Sequence, residues 1–132
     1  MSSLNTKRTT IMAIIVLIGL AAVASAAGWK TFENSAFQKA LKSGQTVLVD
    51  FHATWCPTCA RQKVEIDKVL AEKEFQAVSA FVADYDTSTD LKKEMKIRSQ
   101  STLVVFKGGR EVARSIGTTD PDELRELLRK GL

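Results

Sequence analysis

Cysteine and histidine are scarce in this chain: its 132 residues include two cysteines, Cys56 and Cys59, and one histidine, His52. At most one internal disulfide can form, which excludes the cysteine-dense scaffolds of small secreted proteins. Internal repeats and low-complexity linkers are also missing. Once the N-terminus is set aside, the length leaves no room for a second core. With 26% charged and 45% apolar residues, the composition is that of an ordinary globular domain and gives no sign of disorder.

A concentrated basic surface is lacking too. The formal charge is +4, and removing residues 1–26 takes away Lys7 and Arg8 and no acid, which lowers it to +2. The remaining basic residues alternate with acids, as in Lys63, Glu65, Asp67 and Lys68 or Arg125, Glu126 and Arg129. That pattern describes solvated helix faces, and no nucleic-acid partner is expected.

What is present begins with an N-terminal targeting pattern. Lys7 and Arg8 form a basic region, Ile11 to Leu20 is an uncharged apolar run, and Ala24-Ser25-Ala26 is a small-x-small cleavage site. The alternative is an uncleaved anchor, because the 17 residues from Ile11 to Ala27 carry no charge and reach the lower edge of a membrane span. Both readings leave the basic end inside and the cysteines outside the cytoplasm. Residues 1–27 are therefore expected to be a signal peptide or membrane anchor and 28–132 the folded domain, periplasmic or otherwise extracytoplasmic, either freed by cleavage or tethered through residues 11–27 to the inner membrane.

Periodicity predicts a helix over Phe32 to Lys42, capped by Asn34 or Ser35, followed by a strand at Val47 to Phe51. The strand is almost continuously apolar, the sign of one covered on both faces. A helix follows from Cys56 to about Lys73, with Pro57 at its first position, where a missing N–H is harmless. Cys59, Ile66, Val69 and Leu70 share a face of it. Val78 to Tyr85 reads as a strand and Ser88 to Lys96 as a short helix. Thr102–Phe106 and Glu111–Ile116 form a hairpin around Gly108-Gly109. The last helix opens on Asp120-Pro121-Asp122-Glu123 and repeats Leu124, Leu127 and Leu128.

The chemistry-bearing motif is Trp55-Cys56-Pro57-Thr58-Cys59, at a strand-to-helix junction. A thiolate in the first turn of a helix is stabilised by unpaired N–H groups and the positive end of the dipole, so its pKa falls. A second thiol three residues on can resolve a mixed disulfide. A structural bridge here would close a loop of only a few residues and stabilise little. Capture of a metal by Cys56, Cys59 and His52 is the rival chemistry. Asp50, set in Val47-Leu48-Val49-Asp50-Phe51, is a carboxylate amid apolar neighbours, and desolvation should raise its pKa toward that of a general base working near neutral pH.

With these motifs in register, the chain resembles the thioredoxin family over roughly residues 30 to 131. The matching pieces are Val49-Asp50-Phe51 before Ala53-Thr54-Trp55-Cys56-Pro57-Thr58-Cys59, Ile97-Arg98 before Thr102-Leu103, the Phe106-Lys107-Gly108-Gly109 hairpin, and Gly117 before the last helix. The resemblance implies an α/β thioredoxin fold with a central mixed β-sheet flanked by helices, here preceded by the signal or anchor helix. It implies Cys56 as nucleophile, Cys59 as resolving thiol with which it forms the redox-active disulfide, and Asp50 as the buried acid that shuttles the proton of Cys59. Pro57 and Thr58 would tune the redox poise, and Trp55, Gln100, Ser101, Gly117 and Thr118 would line the substrate groove.

Two departures accompany the match. Ser101 stands where the family usually has a cis-proline facing the cysteines, so the Gln100–Ser101 peptide is expected to be trans. Val82 stands where many thioredoxins have a lysine near the buried acid, whose pKa should then rise further. The expected activity is thiol-disulfide exchange on protein disulfides, in the reducing direction, with no cofactor and with electrons from a membrane-embedded thiol protein. An oxidant of the same fold and a metal-binding or chaperone-like module are the alternatives.

Overall fold

The computed structural model describes residues 28–132; the leader or anchor expected over residues 1–27 lies outside them. Among the described residues, no helix is long and apolar enough to cross a membrane. The elements run β1 (Lys30–Thr31), α1 (Asn34–Lys42), β2 (Val47–His52), α2 (Pro57–Leu70), β3 (Ser79–Asp84), α3 (Thr89–Glu94), β4 (Thr102–Lys107), β5 (Arg110–Ile116) and α4 (Pro121–Arg129). The five strands form one mixed sheet in the order β1-β3-β2-β4-β5. β1, β3 and β2 are parallel, whereas β4 is antiparallel to both β2 and β5.

The apolar run of β2 is central and covered on both faces, as its composition predicts. Val47, Val49 and Phe51 face a cluster with Phe37, Ala40, Phe81, Ile97 and Val104, under α1 and the segment after α3. Leu48 faces the opposite cluster, with Ile66, Val69 and Leu70 of α2 and Leu124, Leu127 and Leu128 of α4. Alternation along the strand therefore places Asp50, in step with Leu48, on the α2 side.

Several boundaries differ from expectation. β1 escapes sequence analysis because two residues have no periodicity; it is held by parallel pairing of Lys30 with Phe81 and Thr31 with Val82. The N-cap of α1 is Glu33, whose carboxylate accepts from Ser35 N at 3.3 Å, so Asn34 and Ser35 lie inside the helix. α2 ends at Leu70, short of Lys73, where a separate 3-10 turn at Lys73–Phe75 drives Phe75 into the core. Gly108 (φ +57°) and Gly109 (φ +75°) carry the hairpin turn, the left-handed pair that a two-residue loop requires. Asp120 caps α4 by accepting from Asp122 N and Glu123 N at 2.9 and 3.0 Å.

Candidate active site

The site forms where β2 ends and α2 begins, at the edge of the sheet on which the strand C-termini of open α/β sheets present ligand sites. Cys56 is itself the N-cap of α2: its backbone is extended and its Sγ accepts from Cys59 N at 3.1 Å. Pro57 opens the helix. One turn in, Cys59 is fully buried against Ala53 and Cys56, while Cys56 keeps 4% of its surface exposed. Both thiols are free.

The two sulfurs differ electrostatically. Burial alone would raise the Cys56 thiol, but hydrogen bonds from Cys59, Ser101 and the Cys59 and Thr58 backbone N–H groups outweigh it and bring the pKa below the ordinary value. Burial pushes the Cys59 thiol up, and its hydrogen bond to Cys56 and the charge developing there push it further. The sulfur at the helix cap is thus the more easily ionised of the two, and the one behind it holds its proton more firmly.

Ser101 closes the site from the loop before β4. Every described peptide is trans, the Gln100–Ser101 bond included, and Ser101 occupies the left-handed region at φ +59°. Its Oγ lies 2.9 Å from Cys59 Sγ and 3.4 Å from Cys56 Sγ. Expected to line a substrate groove, Ser101 is 2% exposed and meets the sulfurs from beneath, because the left-handed turn aims its side chain inward. Ser101 N donates to Phe51 O at 2.9 Å and its carbonyl accepts from Gly117 N at 2.9 Å. That last bond ties Gly117 (φ +70°) into the site, where a side chain at this position would meet the Thr58 methyl.

Gln62 is the functional residue that sequence analysis missed. It is fully buried on the face that carries Cys59 and Ile66, and its Nε2 donates to Ser101 O at 3.2 Å and Thr118 O at 2.9 Å. One amide thus joins the two loops that flank the cysteines. A polar side chain on an apolar helix stripe was the signal that could have found it.

Trp55 is 60% exposed, with its indole N–H anchored to Asp86 Oδ2 at 2.8 Å. Ile116, also exposed, ends β5, next in sequence to Gly117 and Thr118. Gln100 is half-buried, its carbonyl accepting from Ser99 Oγ.

Asp50 is 1% exposed, paired across the sheet with Val82 and Leu103, and burial raises its carboxyl to about 7. It makes no hydrogen bond to either cysteine. The valine at position 82 does not leave it without a cation, as the family pattern suggested: Lys63, on α2, supplies an ammonium that lowers its pKa, opposed by Asp67. Lys63 is shared with that same Asp67, which it meets at 2.5 and 2.7 Å. His52 stands beside Asp50, Nδ1 to Oδ2 3.7 Å. Among the described residues, no three His, Cys, Asp or Glu side chains converge as a metal-binding set, so the Cys56, Cys59 and His52 centre weighed from the sequence does not form.

Comparison with known proteins agrees with this geometry. The thioredoxin family model matches residues 28–130. Thioredoxin H-type of Fagopyrum esculentum is 32% identical over 94 residues, covering 71% of this chain and 79% of that protein. The thioredoxin of Chlamydia muridarum is 36% identical over 94 residues, covering 71% and 89%. Among solved structures, that of Trxlp from Edwardsiella tarda superposes with a TM-score of 0.74 at 36% identity, covering 76% of this chain and 98% of that one.

Proposed function

The chain belongs to the thioredoxin family and is a thiol-disulfide oxidoreductase, and from that premise we propose that it reduces protein disulfides outside the cytoplasm. The observation that carries the reading is the placing of the two sulfurs: Cys56 caps α2, its Sγ accepting from Cys59 N, and Cys59 is fully buried behind it, an arrangement that lowers the first thiol and raises the second.

Cys56 thiolate attacks one sulfur of the target disulfide, and the other target sulfur departs with the electron pair. Cys59 then loses its proton and attacks Cys56 Sγ, which expels the second target thiolate and leaves a Cys56–Cys59 disulfide. The family resemblance gives Asp50, held near neutrality by burial, the part of base for the Cys59 proton, although no direct hydrogen bond joins the two. Trp55, Ile116, Gly117 and Thr118 offer the rim on which an extended target segment rests, with the Gln100 backbone beside it. Pro57 and Thr58, between the sulfurs, set the poise.

The reducing direction is supported by the donors at Cys56. The groups that lower its pKa most are a thiol, a hydroxyl and two backbone amides, with no cation among them. Strong oxidants of this chemistry owe their potential to a highly stabilised thiolate, which neutral donors supply only in part. The extracytoplasmic setting is supported by the Lys7-Arg8 region, the apolar run and the Ala24-Ser25-Ala26 site. There, electrons come from a membrane-embedded thiol protein.

Equilibration of the full chain with glutathione redox buffers tests the direction. A potential more negative than about −220 mV fits a reductant, and one near about −120 mV would make the protein an oxidant. Fusing residues 1–27 to a reporter that is active only outside the cytoplasm tests the location.

A further inference from the structure

Ser101 is held in an unusual way for a residue at a reactive centre. A non-glycine residue at φ +59° is strained, and such conformations persist only where the surroundings over-determine them. Here the backbone N–H is committed to Phe51 O, and the carbonyl accepts from both Gly117 N and Gln62 Nε2. The backbone is fixed on both sides, and what remains free is rotation of the hydroxyl hydrogen. Its oxygen lies within reach of both sulfurs, nearer to Cys59 than to Cys56.

We propose that the Ser101 hydroxyl is a catalytic donor that serves the two sulfurs in turn, bonding the Cys56 thiolate in the resting dithiol and the Cys59 thiolate while the mixed disulfide is resolved. The proposal rests on the oxidoreductase reading above.

A serine hydroxyl has one hydrogen to give and two lone pairs with which to accept. In the resting state Cys59 holds its proton and directs it to the Cys56 thiolate, and the Ser101 hydrogen turns to Cys56 as well, the sulfur with the lower pKa. Hydrogen bonds to an ionised partner are the strong ones, so this arrangement favours the thiolate at Cys56. After attack, Cys56 Sγ is a neutral disulfide sulfur and a weak acceptor. The hydroxyl then turns to Cys59, the closer sulfur, as its proton leaves toward Asp50. Cys59 Sγ bonds to Cys56 Sγ, the bond from Cys56 to the target sulfur breaks, and the electron pair leaves on the target thiolate, which takes a proton from water. Proline, which the family usually places at this position, has no hydrogen to give to either sulfur. Gln62 is a positioning residue for this device, because it holds the Ser101 carbonyl and not the reacting atoms.

Rapid mixing of the reduced full chain with a limiting amount of a symmetrical aromatic disulfide separates the two roles. One coloured thiolate is released when Cys56 attacks and a second when Cys59 resolves the adduct. Ser101→Gly keeps the left-handed backbone and removes the hydroxyl; Ser101→Ala removes the hydroxyl but retains the strain, so the glycine variant decides if the alanine variant folds poorly. We expect the pH midpoint of the first phase to rise by about one unit, in step with the ultraviolet absorbance of the Cys56 thiolate, and the second phase to slow about tenfold at neutral pH. Both phases within about twofold of the wild type would overturn the proposal. So would a change in the first phase alone, since the hydroxyl would then serve Cys56 only. A wild-type chain that releases no coloured thiolate would remove the oxidoreductase reading itself, a failure distinguishable from either result.

Discussion

Asp50 Oδ2 lies 3.7 Å from His52 Nδ1, and neither atom, nor Asp50 Oδ1, has a hydrogen-bond partner among the described residues. A buried carboxyl and a half-buried imidazole thus stand side by side near the end of a central strand without a hydrogen bond to compensate the carboxyl's burial. Uncompensated burial is expensive, and it is the reason the Asp50 carboxyl is held near neutrality.

This gives a pH dependence with a definite sign. Folded Asp50 keeps its proton up to about 7, whereas the unfolded side chain releases it near 3.8. Between those values the folded state binds more protons, so stability falls as pH rises through the window and levels off above it. A displacement of that size is worth roughly 4 kcal/mol at most. Asp50→Asn should therefore be more stable than the wild type by roughly 2 to 4 kcal/mol at pH 8 and differ little at pH 4, as read from urea unfolding at the two pH values. A stability gap between Asp50→Asn and the wild type that does not widen from pH 4 to pH 8 would contradict the buried carboxyl.

The same substitution should harm catalysis where it helps folding. Without a base for Cys59, turnover at neutral pH is expected to drop roughly tenfold or more, with initial attack by Cys56 spared. Stopped-flow release of the first and second thiol from a model disulfide separates the steps. Unchanged resolution across the pH range would remove Asp50 from the mechanism.

Gln62→Leu removes the amide that spans the Ser101 and Thr118 carbonyls, but also a buried Oε1 that has no partner. These effects oppose each other, so the expected loss is only about 1 kcal/mol. Gln62→Glu keeps the shape, loses both donated bonds and buries a carboxylate, and should cost about 3 kcal/mol or more at neutral pH. Denaturant midpoints order the two; equal losses would mean that the amide bonds carry no weight.

Asp86→Ala frees the Trp55 indole while removing only exposed atoms. Stability should change by less than about 0.5 kcal/mol. The KM for a protein disulfide should rise several-fold, while reduction of a small aromatic disulfide, too small to rest on the indole, stays near the wild-type rate. A thermal melt and the two assays together check this, and an equal effect on both substrates would count against Trp55 as part of the docking rim.

Much of this was legible because local signals agreed with each other. The apolar run at Val47–Phe51, Pro57 after Cys56, the Gly108-Gly109 pair and the Asp120-Pro121 start each name an element by its own chemistry, and each element forms there. The pairing of Cys56 with Cys59 and the burial of Asp50 followed from spacing and neighbours. The rest depends on contacts between distant segments. Nothing near Ser101 in sequence shows that its carbonyl is held by Gln62 and Gly117, or that its hydroxyl faces the sulfurs and not the groove. Lys63 lies 13 positions from Asp50 in sequence and approaches it only because α2 packs over β2. Two-residue β1 has too little sequence to carry a pattern, and residues 1–27 keep their expected role as leader or anchor as a proposal alone.

The most direct test of the central claim is reduction of insulin by the full chain, with dithiothreitol as electron source, followed by the turbidity of the released B chain. The account predicts clear acceleration over dithiothreitol alone by the wild type, none by Cys56→Ser, and accumulation of a trapped mixed disulfide by Cys59→Ser. Equal turbidity curves for the wild type and Cys56→Ser would contradict it.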